Sequence, residues 1–233
     1  MSLPLSPPRA SAASVQHFRY YDLVMAAFVA ILLLSNIIGA AKRSVVDLPL
    51  VGEWPFGAGV LFFPISYIIG DMLTEVYGYA RARRVIWTGF AALAFMAFMA
   101  WVVVALPPAP GWNGQAAYVE VFGNSWRIVI ASMLAFWVGE FANSLVLAKL
   151  KLKDNGRRMG LRFVASTLVG QGLDSLIFYP VAFYGLDGWP TDALFQTVLS
   201  QWAIKTGWEI LLLPVTIAIV TWLKRREGVD VYD

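Results

Sequence analysis

The sequence predicts an all-α integral membrane protein, a six-transmembrane-helix bundle with N- and C-termini cytoplasmic. Three observations carry that expectation. Of the 233 residues, 59% are hydrophobic and 14% charged, with mean hydropathy +0.65; a soluble domain carries about 25% charged residues. Six stretches are apolar over about the 20 residues a helix needs to cross a bilayer core of about 30 Å. Basic residues concentrate in alternate connections, as they do in short cytoplasmic loops.

Residues 1–17 are rich in Pro, Ser and Ala. They read as a disordered N-terminal tail, and without an apolar core and cleavage site they do not read as a signal peptide. The transmembrane domain is expected over 18–226. Its spans are about Tyr20–Ala41, Gly57–Gly78, Val85–Leu106 (stopped by Pro107-Pro108), Ile128–Leu150, Phe163–Gly185 and Leu194–Leu223. The last is long enough to tilt. Residues 227–233 form a C-terminal tail. The connection Pro107–Arg127 holds Trp112, Tyr118, Phe122 and Trp126. It reads as an interfacial segment with a short amphipathic helix near Gln115–Phe122.

Orientation follows from charge. Arg9 and Arg19 lie in the tail. Arg81, Arg83 and Arg84 lie between spans two and three. Lys149, Lys151, Lys153, Arg157, Arg158 and Arg162 lie between spans four and five, and Lys224, Arg225 and Arg226 follow span six. The opposite side has only Lys42, Arg43 and Arg127. This asymmetry places both ends inside the cell and requires an even number of spans. It also accounts for the sequence pI near 9.2: the basic residues are anchors beside spans, so no nucleic-acid partner is expected.

Composition removes several chemistries. There is no cysteine, hence no disulfide, thiol nucleophile or thiolate metal site. The one histidine, His17, precedes the first span, so neither an imidazole metal centre nor a catalytic triad fits inside the bundle. No metal or cofactor is expected. There is no G-x-S-x-G elbow, and an enzyme is disfavoured. No phosphate-binding loop of the G-x-x-x-x-G-K type occurs, so the chain itself does not hydrolyse ATP.

The informative stretch is FPISYIIGDMLTEVYG, Phe63 to Gly78. Helical spacing stacks Tyr67, Asp71 and Glu75 on one face. An acid inside a spanning helix is costly and should face a protein interior or a water-filled cavity. The bland alternative, strongest for Glu75, leaves these acids at the membrane surface. Three further spans carry polar groups at helical spacing. Span four has Glu140 and Asn143, with Trp137 a turn earlier. Span five has Gln171, Asp174 and Ser175, with Phe178 a turn later. Span six has Gln201, Lys205 and Glu209, with Trp208 beside them. Asn36 lies near the outer end of span one. Span three, with only Thr88, reads as a lipid-facing wall.

A lone membrane Asn or Gln commonly joins helices rather than binding a ligand, and that reading holds for Asn36 and Asn143 taken singly. The pattern across four helices says more. Asp71, Glu75, Glu140, Asp174 and Glu209 outnumber the single base Lys205, which is expected to bridge one or two of them, Glu209 being nearest along its own helix. The surplus needs a cavity, a donor-rich or cationic ligand, or protons. Pro64, Gly170, Gly172, Pro180 and Pro214 lie beside these groups and suggest interrupted spans, although prolines also kink membrane helices for packing. The shared pattern of Asn, five residues, Lys at Asn36–Lys42 and Asn143–Lys149 hints at an inverted repeat but is too short to carry one.

The run FPISYIIGDMLTEVYG, followed by EFANSLVLAKLK, GQGLDSLIFYPVAFYG and Lys205, resembles the queuosine precursor transporter family. The likeness extends from Ser35 to Pro214. It implies an inner-membrane, multi-pass importer of 7-cyano-7-deazaguanine or 7-aminomethyl-7-deazaguanine, salvaged to make the tRNA base queuosine. By that resemblance Asp71, Glu75, Glu140, Asn143, Gln171, Asp174 and Lys205 bind substrate; Asn36 and Tyr67 join them from the reading of the spans. A carboxylate can accept two neighbouring N–H groups of such a base. Its carbonyl edge needs a donor, available from Gln171, Asn143 or Lys205. Its flat face needs an aromatic: Tyr67, Trp137, Phe178 or Trp208. The implied partners are a small purine-like molecule and the lipid bilayer, with a homodimer left open. The alternative is a substrate-binding membrane subunit, for a small heterocycle or vitamin, that depends on a separate ATP-driven partner.

Overall fold

Seven α-helices are present among the described residues of the computed structural model, which are 18–39, 43–48, 52–57, 61–123, 126–185 and 190–232. The expected tail at 1–17 lies outside them. In order the helices are α1 (Tyr21–Leu34), α2 (Phe63–Tyr77), α3 (Tyr79–Ala105), α4 (Gln115–Phe122), α5 (Trp126–Asp154), α6 (Met159–Phe183) and α7 (Thr191–Glu227). The segments Tyr21–Ile38, Tyr79–Ala105, Val129–Asp154 and Leu194–Glu227 are long and apolar enough to cross a membrane. At 15 residues α2 is shorter, about 22 Å at 1.5 Å per residue. With 25 residues α6 has the length, but polar groups interrupt its apolar face.

The helices are inside-out relative to a soluble bundle. Asp71, Glu75, Glu140, Asn143, Gln171 and Glu209 are buried, while Trp87, Phe95, Phe98 and Trp101 of α3 and Leu211, Val215 and Trp222 of α7 are exposed. Water would select the opposite pattern; hydrocarbon around the bundle selects this one. An apolar core of Phe28, Leu32, Leu73, Val76, Tyr77, Val85, Leu147, Phe163 and Val220 joins α1, α2, α3, α5, α6 and α7.

Several boundaries differ from those the sequence suggests. The second span was expected from Gly57, yet α2 starts at Phe63 with Pro64 in its first turn. There the missing N–H costs nothing and the fixed φ suits the helix, so Pro64 begins the helix rather than interrupting it. Residues 79–84 read as a loop, but Gly78, at φ 87°, makes the break within one residue. Such a φ is open to glycine without a Cβ clash. Arg81, Arg83 and Arg84 therefore ride on the first turns of α3. Likewise α5 continues to Asp154 and α6 begins at Met159, leaving Asn155–Arg158 as the link. Both α6 and α7 run through Pro180 and Pro214 without a break.

The bundle is helical as expected, but one hairpin stands outside it. Strands β1 (Arg43–Leu48) and β2 (Gly52–Gly57) pair antiparallel, from Arg43 opposite Gly57 to Leu48 opposite Gly52. The sequence does not announce it, because Pro55 within β2 argues against a strand. The end of α1 also departs from a regular helix: Ser35–Gly39 forms one π-helical turn, a feature that often marks a functional region.

Candidate functional site: a polar chamber and an ion cluster

Two glycines set the geometry. A Cβ at Gly170 would come within 2.7 Å of the Asn143 Cβ and 2.9 Å of the Gly139 carbonyl oxygen. A Cβ at Gly139 would come within 3.0 Å of both the Gly170 carbonyl oxygen and the Asp174 Cβ. The backbones of α5 and α6 thus touch, as small residues allow in membrane helices. Each glycine is followed immediately by a polar residue, Glu140 and Gln171, with Asn143 and Asp174 a turn later. The close crossing therefore delivers four polar side chains to one level of the bundle. On α2 the absence of a side chain at Gly70 leaves room for the Glu140 carboxylate, with which a Cβ there would collide.

Around this crossing lies a buried chamber. Asn143 Nδ2 donates to Asp71 Oδ1 at 2.9 Å. The Tyr67 hydroxyl and the Gln171 side chain are hydrogen-bonded, with Asp174, Glu140 and Glu209 near the same hydroxyl. The Asp71 and Glu209 carboxyls adjoin, and Glu140 faces Asp174 and Glu209. Lys205 Nζ donates to Asp174 Oδ2. Seven of the nine residues singled out from the sequence meet here: Tyr67, Asp71, Glu140, Asn143, Gln171, Asp174 and Lys205. Glu209 is an eighth member.

Several polar atoms of the chamber are buried without an amide, ammonium or hydroxyl partner among the described residues. Asp71 Oδ2, Glu140 Oε1, Asn143 Oδ1, Gln171 Oε1 and both Glu209 carboxylate oxygens are buried and receive no hydrogen bond from any amide, ammonium or hydroxyl group among the described residues. The Asp71 and Glu209 carboxyls are hydrogen-bonded to each other, and the buried hydroxyls of Ser175 and Thr206 are likewise unpartnered among the described residues. Lys205, expected to lean on Glu209 along its own helix, instead reaches across to α6 and Asp174. Among the described residues no group of acids is arranged to hold a metal ion.

The other two candidates lie elsewhere. Asn36 Nδ2 donates to the Leu32 carbonyl at 2.9 Å, and Asn36 Oδ1 accepts from Ser132 Oγ at 3.2 Å. It ties α1 to α5. Glu75 lies one helical turn from Asp71 but belongs to a separate ion cluster. Its Oε1 accepts from Arg162 Nη2 and from Lys224 Nζ, each at 2.7 Å. Lys151 Nζ is 3.9 Å from the same oxygen and 2.6 Å from Asp230 Oδ1. Arg162 Nη1 also donates to Asp154 Oδ1 at 2.8 Å, and Lys224 lies 2.8 Å from Asp230.

Three cations and three carboxylates thus close a network. Lys151 and Arg162, which read as loop anchors, are 2% and 1% exposed. The reason is that α5 and α6 extend past the expected loop ends and carry these side chains inward over Glu75.

The chain's C-terminal end straps this cluster. The Val231 amide donates to the Val76 carbonyl at 3.3 Å, and Lys151 Nζ donates to the Val231 carbonyl at 2.6 Å. Burial works to raise the Asp230 carboxyl pKa. Hydrogen bonds from Lys151 and Lys224 outweigh it and hold the group below its ordinary range. Beside the strap, Tyr77 and the backbone amides of Arg19 and Tyr20 all donate to Glu227.

Of the aromatic candidates, only Tyr67 enters the chamber. Trp137 packs with Trp87 and Phe141 at ring separations of 5.6 and 5.8 Å. Phe178 packs on Tyr179 and Phe183. Trp208 is 38% exposed on the outer face of α7.

Comparison with known proteins adds the following. Residues 57–219 match the family described as "Putative vitamin uptake transporter". The chain is 32% identical over 161 residues to a Bacillus subtilis protein named "Probable queuosine precursor transporter", covering 69% of each chain. It is 26% identical over 170 residues to the Escherichia coli "Queuosine precursor transporter", covering 72% of this chain and 74% of that one. No solved structure matches.

Proposed function

We propose, from the premise that this chain belongs to the "Putative vitamin uptake transporter" family, that it is a multi-pass inner-membrane protein importing a queuosine precursor of the 7-deazaguanine type. One observation carries the link from family to chain: four helices bring Tyr67, Asp71, Glu140, Asn143, Gln171, Asp174 and Lys205 into one buried polar chamber. A mostly apolar bundle with a few convergent polar groups is the usual design for a small flat ligand.

In this reading the carboxylates accept from the amine edge of the base, with Asp174 and Glu140 as the principal pair. Donors for its carbonyl edge come from the amides of Asn143 and Gln171 or from Lys205, and Tyr67 borders the ring. Glu75 does not touch substrate. Its network ties the cytoplasmic ends of α2, α5, α6 and α7 together. Asn36 joins helices. The chain crosses the membrane six times, α2 and α6 included, with both termini in the cytoplasm. The skew of basic residues supports this, as does the position of the Glu75 network among those basic connections.

The deciding experiment is uptake of labelled 7-deazaguanines into liposomes holding only the purified chain. Uptake that saturates supports an autonomous carrier. Binding without uptake, relieved by a separate ATPase, would favour a substrate-binding subunit instead. Neither uptake nor binding would sink the reading.

A further inference from the structure

An apolar groove opens between α1, α2 and α7, on a different face of α2 from Tyr67 and Asp71. Its floor is Ile69 and Met72 of α2 with Leu223 of α7, all buried. Its walls rise to Leu23 of α1 and Trp222 of α7, which are 62% and 48% exposed. At one end the Tyr20 and Trp222 rings meet at 5.6 Å. The Arg19 guanidinium lies 5.5 Å from the Tyr20 ring, and that of Arg226 lies 5.9 Å from the Trp222 ring. We propose that this is a lipid site: an anionic glycerophospholipid lays one acyl chain in the groove and sets its phosphate against Arg19 and Arg226. The proposal does not depend on what the chamber binds.

The first argument is placement. On α7 the groove residues Ile219, Trp222 and Leu223 are followed by Arg226, a spacing of i, i+3, i+4, i+7 that puts all four on one helix face. Arg226 therefore stands one turn beyond the groove floor and directly in line with it. Tyr20 and Trp222 mark the level where the apolar spans give way to charge, the depth at which such rings meet headgroups. An acyl chain lying in the groove thus carries its phosphate to the two guanidiniums.

The second argument is charge. Among the described residues neither Arg19 nor Arg226 has a carboxylate within ion-pair distance, whereas Lys151, Arg162 and Lys224 at the same end are turned inward to theirs. The adjacent acid, Glu227, already accepts from the amides of Arg19 and Tyr20 and from the Tyr77 hydroxyl. Asp22 lies near Tyr77, off the groove face of α1. Arg19 and Arg226 are exposed. A guanidinium binds phosphate through two parallel hydrogen bonds, and basic pockets between membrane helices take anionic headgroups. A helix of a second copy seated here would cover two cations without supplying an anion, which is costly, so the charge favours the lipid.

The test is native mass spectrometry of the full chain in detergent, titrated with phosphatidylglycerol or with phosphatidylcholine of the same acyl chains. One phosphatidylglycerol is expected to bind about tenfold more tightly than phosphatidylcholine, since each cation near a headgroup contributes about fivefold. Arg19→Gln and Arg226→Gln should each weaken phosphatidylglycerol by about fivefold and leave phosphatidylcholine nearly unchanged. Arg225→Gln removes the same charge from a neighbouring helix face and should leave the ratio alone. Ala27→Trp, at an exposed position in the groove wall, should weaken both lipids by filling the groove. Equal affinities for the two lipids would overturn the inference. So would a loss in Arg225→Gln matching that in Arg226→Gln, which would mean diffuse attraction to a basic end. A dimer that Ala27→Trp disrupts would also overturn it, because the groove would then hold a second copy. If Ala27→Trp fails to fold, the three exposed arginines decide.

Discussion

Arg162 and Glu75 form an ion pair out of reach of solvent: Nη2 lies 2.7 Å from Oε1, with the two side chains 1% and 0% exposed. One turn away on the same helix face, Asp71 meets an asparagine and another carboxyl instead. Two acids at i and i+4 therefore sit in opposite electrostatic settings, one ion-paired through its Oε1 with buried cations and one facing an amide and another carboxyl. The cause lies in their neighbours. Glu75 is level with the helix ends, where basic connections fold in. Asp71 is level with the glycine crossing of α5 and α6.

That contrast predicts different phenotypes. Glu75→Gln strands buried cations, and removing one partner of a buried pair costs about 3–5 kcal/mol. It should sharply lower thermal stability in detergent, while the folded fraction retains wild-type affinity for the base. Asp71→Asn should lose affinity with a smaller loss of stability. Thermal unfolding and ligand binding on both variants check this, and interchanged phenotypes would contradict the division into chamber and cluster.

The C-terminal strap should be sensitive to acid. Asp230 has a folded-state pKa below its ordinary value of 3.8. A depressed carboxyl stabilises the folded form above its unfolded pKa, and the contribution is lost as pH falls through the folded value. The strap should thus hold at neutral pH and loosen only below about 3.8. Its Asp230 side chain is 42% exposed, so solvent screening keeps the effect local. Asp230→Asn should loosen it already at neutral pH. Hydrogen exchange at the Val231 amide, bonded to the Val76 carbonyl, reports this directly. An exchange rate unchanged by the substitution would rule the latch out.

Close packing gives a third expectation. At Gly170 an added methyl must displace Asn143 and the backbone of Gly139, and such overpacking costs about 1–3 kcal/mol. It also moves Asn143 away from Asp71. Gly172, two residues on, has nothing nearer than the Trp202 ring at 3.4 Å. Gly170→Ala should therefore lower both stability and uptake, and Gly172→Ala should be tolerated. Equal behaviour of the two variants in melting and transport assays would refute the account of the crossing.

The chamber was largely legible in the sequence because polar residues inside apolar spans are scarce and each one is informative. The surplus of acids over the single base Lys205 across four spans pointed to a shared polar chamber, and the family resemblance grouped Asp71, Glu140, Asn143, Gln171, Asp174 and Lys205 as its binding residues. Glu75 could not be separated from them, since periodicity puts it on the same face and says nothing of depth. Its partners Arg162 and Lys151 looked like the other loop cations, and only the lengths of α5 and α6 turn them inward. The hairpin at Arg43–Gly57 stayed hidden because Pro55 and its short strands give no alternating pattern. The aromatic candidates were too many for spacing to choose among, and packing retains only Tyr67.

Lys205 supplies the last prediction. Its Nζ is bonded to Asp174, with side-chain exposures of 6% and 13%, so each compensates the other's charge. Lys205→Met removes the cation and leaves Asp174 among three further carboxyls, which should cost roughly 3–5 kcal/mol. Asp174→Asn leaves Lys205 with Glu209 one helical turn along α7, so a replacement anion is close and the loss should be smaller. The double variant removes both charges, and replacing a buried pair by neutral groups is often nearly neutral or stabilising. A double-mutant cycle by thermal unfolding should accordingly show the pair recovering most of the stability that Lys205→Met loses. Uptake should not recover with it, because the double variant lacks both an acceptor and a donor for the base. If stability and uptake are regained together, Lys205 and Asp174 serve only to hold α6 to α7, and substrate contacts fall to Asp71, Glu140, Asn143 and Gln171.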